Sequence, residues 1–252
     1  MKAVKRLNRL WPPVLAVASL LGVWEAIVRT QHIAPLVLPA PSAIARELVS
    51  NLSAYLVQAR ITLIEAGLGF AAAFVVSMAL AAVMVHRPVV DRAVSPLQTA
   101  LRCTPIVAVA PALMLSMGFG LGPKVLMAAL ITFAPFLSNA LSGLRSVDEA
   151  TLEVFRSVNA TKRQIFWKLR MPYASPYLFA AARICVSLAL MGAVVAEWSG
   201  SSEGLGYTIL SAQKTLDTTR VWACVALLTA LGIAFTALVS LVERYVLRWN
   251  RT

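Results

Sequence analysis

Residues Ile61–Val85 read ITLIEAGLGFAAAFVVSMALAAVMV, with a single ionisable side chain, Glu65, in a run that is otherwise apolar, small or hydroxyl-bearing. A hydrocarbon layer about 30 Å thick takes roughly 20 such residues as one helical crossing. Five further runs of this kind lie at Leu10–Val28, Val94–Met117, Val125–Leu144, Tyr173–Trp198 and Val221–Val242. None alternates apolar with polar residues, which excludes the strands of a membrane β-barrel. The expected fold class is therefore an all-α integral membrane protein with six transmembrane helices. Composition agrees: 59% of the 252 residues are hydrophobic and 13% charged, about half the charged share of a soluble domain.

A net charge of +12 raises the question of nucleic acid, but the bases cluster at segment ends and in one loop and form no patch on a soluble domain. Membrane topology accounts for them. With the N-terminus in the cytoplasm, fifteen Lys and Arg residues fall inside and six outside, which satisfies the positive-inside rule with both termini cytoplasmic. Arg102 and Arg183 are left within spans. The basic N-terminus ahead of an apolar run is not read as a cleaved secretory signal, because Ala16-Val17-Ala18 falls inside the run and five more spans follow. Cys103, Cys185 and Cys224 all fall in expected spans without metal-ligand spacing and read as buried small residues. His32 and His86 fall on opposite sides of the bilayer, so no catalytic or metal cluster is expected and an enzyme is disfavoured.

Between the spans, Leu38-Pro39-Ala40-Pro41-Ser42 breaks the chain, and Ser42 is placed to cap a partly amphipathic surface helix over 43–58. Residues 118–123 are a hairpin, and 199–220 read as a polar external loop. The segment Arg145–Pro172 holds six basic and three acidic residues and lies outside lipid. Ser146-Val-Asp-Glu149 and Thr161-Lys-Arg-Gln164 both fit the capping box, and Asn159 between them suits a left-handed helix end. The expected structure is helix, sharp turn, helix, closed by Pro172. Leu152, Phe155 and Val158 from the first helix, with Ile165, Phe166 and Trp167 from the second, would form a large apolar surface, which either packs under the bundle or contacts another protein.

This loop resembles the "EAA" loop of binding-protein-dependent ABC importer permeases, whose pattern is Glu-Ala-Ala, three residues, Gly, nine residues, Ile-x-Leu-Pro. The same spacing runs through Glu153-Val154-Phe155, Asn159 and Leu169-Arg170-Met171-Pro172, with both alanines and the glycine replaced. The resemblance covers roughly residues 35–250. It looks closest to the branch importing sulfonates, taurine and nitrate, with related permeases for thiamine-precursor pyrimidines or riboflavin. Leu38–Ser42, Arg102-Cys103-Thr104-Pro105 with Pro111, Ala196-Glu197, Gly204-Leu205-Gly206-Tyr207 and Leu247-Arg248-Trp249-Asn250 carry it.

The resemblance implies a type I permease fold, with residues 58–245 as the transmembrane domain, 1–57 as an N-terminal helix and external segment, and 246–252 as a cytoplasmic tail. It implies a permease homodimer in a bacterial inner membrane, two cytoplasmic ATPase subunits gripping the loop, and an external solute-binding protein. Glu153, Val154, Phe155, Val158, Asn159 and Pro172 would couple the chain to the ATPase. No Gly-x-x-x-x-Gly-Lys-Ser/Thr loop is present. ATP and Mg are therefore expected on the partner and no cofactor on this chain. The solute is expected to be an anion such as an aliphatic sulfonate, taurine or nitrate, or else a pyrimidine or riboflavin. A secondary transporter driven by an ion gradient is the rival reading, but it calls for acids or histidines near mid-membrane, whereas the acids here lie near span ends.

Ionisable residues within spans are functional candidates by default. Arg102, Arg183, Glu65 and Glu197 are four. Each arginine is either paired within the bundle or lines the path, and Glu25 lies close enough to the interface to snorkel. Pro105 and Pro111 should break the backbone bonding of the third span in two places, which is tolerated in a membrane only where protein or a water-filled cavity satisfies the freed groups, and that makes the span path-lining. The candidate path residues are Arg102, Thr104, Pro105, Arg183, Ser187 and Glu197.

Overall fold

The structure, a computed structural model, describes residues 2–247, with side chains from Trp11 onward. The side chains of Lys2, Lys5, Arg6, Arg9 and Leu10, and residues 248–252 of the expected tail, lie outside the described residues. Eleven α-helices follow in order: α1 Lys2–Thr30, α2 Pro41–Ser50, α3 Leu52–His86, α4 Pro88–Cys103, α5 Ile106–Met117, α6 Leu121–Arg145, α7 Glu149–Ser157, α8 Lys162–Ile165, α9 Met171–Trp198, α10 Leu205–Lys214 and α11 Thr218–Val246. A π-helical turn, Phe166–Arg170, joins α8 to α9.

Among the described residues, five helical stretches are long and apolar enough to cross a membrane: Trp11–Thr30, Leu52–His86, Leu121–Arg145, Lys162–Trp198 and Thr218–Val246. Counting α4 and α5 as one span gives six. That third span is not the straight crossing expected. A residue before proline is driven out of the helical region, and Thr104, ahead of Pro105, is extended at φ −73° and ψ 125°. The chain bends there by 98°. At Pro111 the expected loss is confined to one bond, the one residue 111 would give the carbonyl of Val107, and α5 continues through it.

The chain divides into two units. One comprises residues up to Gln58 together with Thr208–Leu227. Here Trp24 meets Trp222 edge to face with centroids 5.1 Å apart, and Thr218 donates to the Leu36 carbonyl at 2.6 Å. Ser42 does not cap α2; Ala40 holds the N-cap position ahead of Pro41. Instead the Ser42 hydroxyl and amide donate to Glu25 at 2.7 and 3.0 Å, and Arg29 pairs with the same carboxylate at 2.6 Å. The surface helix is also shorter than expected, because α2 ends at Ser50 and Leu52 already begins α3.

The other unit, Ala59–Tyr207 with the chain from Leu228 onward, is built on α6 against α9. Small residues let the two backbones approach: a Cβ on Gly143 would lie 2.8 Å from Ala174 Cα, and one on Gly192 2.7 Å from Ala128 Cα. Phe136, fully buried, receives Phe70 and Phe74 edge to face at 5.1 and 5.5 Å. Met84, Leu137, Leu144 and Leu178 continue the core toward the other end of these helices. Cys185 and Cys224 are buried as expected, but Cys103 is exposed at the α4–α5 bend.

Candidate functional site

The hairpin α7–α8 has a turn stabilised at every joint. Asp148 caps α7, accepting from the Thr151 amide at 3.0 Å and its hydroxyl at 2.7 Å. These two bonds hold the Asp148 carboxyl below its ordinary value. Ser146, the expected cap, instead donates back to the Gly143 carbonyl at 2.8 Å, because its backbone still follows the end of α6. At the far end of α7, Asn159 stands at φ +52°. Its amide reaches Arg156 O at 2.9 Å while the Ala160 amide reaches Phe155 O at 3.0 Å, the paired bonds of a Schellman close. Thr161 and Gln164 complete the reciprocal capping box.

Under this turn lies a miniature core of buried Val147, Leu152 and Leu169, with Phe155 and Ile165 packed on it. Leu152 is thus interior, not part of an exposed surface as the sequence suggested. Val154 at 62% exposure, Val158 at 71% and Trp167 at 59% remain outside, with Glu153 exposed beside them.

Pro172 does not close the hairpin. It follows the π-turn, in which the Met171 amide bonds Phe166 O, and the helical chain runs on from Lys162 to Trp198. The wider i→i−5 turn accommodates a residue with no N–H to give. Arg170 donates to the Leu144 carbonyl at 3.1 Å, tying the second helix to the end of α6. Arg145 pairs with Asp91 of α4 at 2.8 Å, so the start of α4 shares this end.

At the opposite end of the same unit is a buried ionic cluster. Lys124, in the first turn of α6, donates to Glu65 of α3 and to Ser201, each at 2.7 Å. Lys124, one of the six bases that the topology places outside, is 6% exposed. Glu197, with no exposed surface, accepts from Thr62 Oγ1 at 2.6 Å and from the Gly206 and Tyr207 amides at 2.5 and 3.3 Å. A Cβ on Gly206 would stand 2.8 Å from the Glu197 carboxylate, and Gly204, at φ +106°, faces the same group. The segment after α9, expected as a polar loop, therefore begins with a buried helix start: Gly204, Leu205 and Gly206 are all covered. Thr62 and Lys124 were missed as members of this cluster. Glu65 and Lys124, opposite charges at the same end of two apolar runs, were the available signal for the pair, whereas nothing in the sequence marks Thr62.

The path candidates are dispersed. Arg102, Thr104 and Pro105 lie exposed at the α4–α5 bend, and the Thr104 hydroxyl bonds its own helix at Ala100 O, 2.9 Å away. Arg183 of α9 forms an ion pair with Glu243 of α11. One turn on, Ser187 lines an open groove of about 690 Å³ with Met191, Thr229, Gly232, Thr236 and Ser240. Glu197 belongs to the buried cluster and not to this groove.

A multi-pass helical fold with these elements is that of an integral membrane protein. Residues 73–248 match the family described as "Binding-protein-dependent transport system inner membrane component", and the chain belongs to that family. It is 33% identical over 249 residues to the formylaminopyrimidine transport permease protein ThiX of Halalkalibacterium halodurans, covering 98% of this chain and 99% of that one. It is likewise 33% identical over 253 residues to the riboflavin transport system permease protein RibX of Chloroflexus aurantiacus, covering 98% and 94%. A chain of the MetNI methionine ABC transporter in inward-facing conformations shares the fold, with a TM-score of 0.60 and 21% identity over 83% of this chain and 98% of that one. The protein is a multi-pass inner-membrane permease component of an ABC importer for a small solute, and the family's role is transport, not catalysis.

Proposed function

We propose that the α7–α8 hairpin is the EAA-type coupling element on which a cytoplasmic ATPase subunit docks, with ATP and Mg held by that partner. The observation that carries this is mechanical: the second helix of the hairpin is continuous with α9, and the first is joined to α6 through a three-residue connection. A push on the exposed face of Glu153, Val154 and Val158 is therefore transmitted to the two helices that form the centre of the unit. Phe155 and Asn159 fix the shape of that face, and Pro172 sits where the lever enters the span. On this reading the hairpin end and both termini are cytoplasmic, two copies of the chain pair around the path, and an external solute-binding protein meets the Glu197 end.

We infer further that the solute is a small uncharged or zwitterionic heteroaromatic molecule, of the pyrimidine or flavin class, rather than a simple anion. The expectation of an anion leaned on two arginines in spans. Arg183 is neutralised by Glu243 and Arg102 lies exposed at the bend. The groove beside Ser187 is lined by hydroxyls and apolar side chains without a charge, which suits a flat polar ring. Relatives named for pyrimidine and riboflavin transport stand beside others named for aliphatic sulfonates and taurine, so the reading rests on the groove lining and the two arginines.

One uptake experiment tests both readings. Cells carrying the complete importer should accumulate a labelled aminopyrimidine or flavin in preference to an aliphatic sulfonate, and Glu153→Arg should abolish uptake with the permease still inserted. Normal transport and normal ATPase affinity in Glu153→Arg would remove the coupling assignment, while preferential sulfonate uptake would remove the solute assignment alone.

A further inference from the structure

Helix α4 has three faces. Val90 and Val94 pack on the core that holds Met84, Leu137 and Leu144, and Gln98 donates to the Ala134 carbonyl at 3.1 Å. Val89 and Leu97 form an apolar face that is left exposed. On the third face Arg92, Ser95, Thr99 and Arg102 succeed one another at spacings of three, four and three residues, which places them in one helical row. All four are exposed, and neither arginine forms an ion pair among the described residues.

Two contacts fix how deep this row runs. Asp91 meets Arg145, the last residue of α6, whereas Gln98 meets Ala134, eleven residues earlier and about 16 Å along the helix axis. Arg102 stands one turn beyond Gln98. After the bend, Ala110 and Met114 of α5 pack on Met127, Val195 and Ala196, toward the ends of α6 and α9 away from the hairpin. The row therefore starts at the hairpin end and finishes at the middle of a spanning helix. There Pro105 also leaves the Leu101 carbonyl without its helical donor. An unpaired arginine and an interrupted helix are costly against lipid at that depth and are tolerated against water.

We propose that this row is one wall of a water-filled vestibule opening at the hairpin end, and that Arg92 and Arg102 make the vestibule a barrier to cations. That it opens to the cytoplasm rests on the orientation proposed above. A cleft lined by one sign of charge between low-dielectric walls focuses the field, and a fixed arginine in a membrane path repels protons and metal cations. Nothing on α4 cancels the two charges. Its one acid, Asp91, is taken up by Arg145, and the Ser95 and Thr99 hydroxyls bond back to Asp91 O and Ser95 O at 2.8 and 3.1 Å. An uncharged or zwitterionic ring can leave through such a field, while sodium, potassium and hydronium ions are held back from the path.

Native Cys103 is the reporter, since it is exposed beside Arg102 while Cys185 and Cys224 are buried. Inverted and right-side-out vesicles carrying the complete importer are treated with membrane-impermeant methanethiosulfonates, one anionic (sulfonatoethyl) and one cationic (trimethylammonioethyl). Cys103 should react from the same side as a hairpin cysteine, Lys162→Cys in a Cys103→Ser background. Its anionic-to-cationic rate ratio, normalised to that of a free thiol so that changes in the thiol itself cancel, should exceed one several-fold. The ratio should fall toward one in Arg102→Gln and at high salt, fall less in Arg92→Gln, and be retained in Arg102→Lys. Reaction of Cys103 from neither side, or only from the side opposite to Lys162→Cys, would overturn the vestibule. A ratio of one in wild type, or a raised ratio that neither Arg102→Gln nor salt lowers, would overturn the barrier. If both cysteines reacted only from outside the cell, the orientation alone would be wrong and the vestibule at the hairpin end would stand.

Discussion

Two ion pairs of nearly equal length stand at opposite ends of the α6–α9 unit and perform different work. Lys124–Glu65 is 2.7 Å long with side chains 8% and 1% exposed; Arg156–Glu149 is 2.8 Å long with side chains 59% and 68% exposed. At the Glu197 end Glu65, Lys124 and Glu197 are turned inward and the chain is tied by side chains from three helices. At the hairpin end the charges face outward, and the turn is held by backbone caps and a few apolar residues beneath them. The first arrangement fixes a corner internally. The second leaves a rigid exposed face, which is what a docking element needs.

The largest effect should follow from breaking the buried pair. Removing one partner leaves an uncompensated charge in an apolar setting, at a cost of about 3–5 kcal/mol, whereas an exposed pair contributes under about 1 kcal/mol. Lys124→Met should therefore lower the apparent melting temperature in detergent far more than Arg156→Ala. Equal shifts would mean that the Lys124 cluster is wetted and the contrast between the two ends is false.

Much of this contrast was legible in the sequence at one end only. The hairpin is local: Thr161 and Gln164 are three residues apart, Asn159 supplies its own left-handed turn, and such short-range geometry depends on few distant neighbours. Even there, Ser146 and Asp148 were both capping residues in reach, and the cap chosen depended on where α6 ended. The Glu197 cluster joins residues 62, 65, 124, 197 and 206, and pairing them requires the relative placement of four helices, which apolar periodicity does not encode. Hydropathy also located the third apolar run but not its 98° bend, since Pro105 and Pro111 look alike in sequence and only the first interrupts the helix.

A smaller effect is expected at Asn159, whose φ of +52° costs a residue with an ordinary side chain about 1–2 kcal/mol. Asn159→Val should destabilise the hairpin by about that amount, since a β-branched side chain resists the left-handed region. Asn159→Gly should match wild type. Proteolytic susceptibility of the 145–172 segment in membranes reads the difference, and a stable Asn159→Val hairpin would show that the turn is held by the core of Val147, Leu152 and Leu169 and not by its own conformation.

The smallest effect concerns Asp148, where the exposed end should respond to pH in a way that separates capping from charge. Its carboxyl sits below the ordinary value because Thr151 donates to it through both hydroxyl and amide. A group whose folded value is depressed adds stability that is fully present above the unfolded value and lost as pH falls through the folded one. The Asp148 contribution is thus intact at neutral pH and disappears in acid, below the ordinary carboxyl value of 3.8. Asparagine caps about as well as aspartate but does not titrate there, and alanine does not cap. Amide exchange at Thr151, corrected for its intrinsic pH dependence by comparison among the variants, should show protection in wild type and Asp148→Asn at neutral pH, in wild type declining on acidification, and in Asp148→Ala low throughout. If Asp148→Asn lost protection in acid just as wild type does, the acid response would belong to another group, and the cap of α7 would owe nothing to its charge.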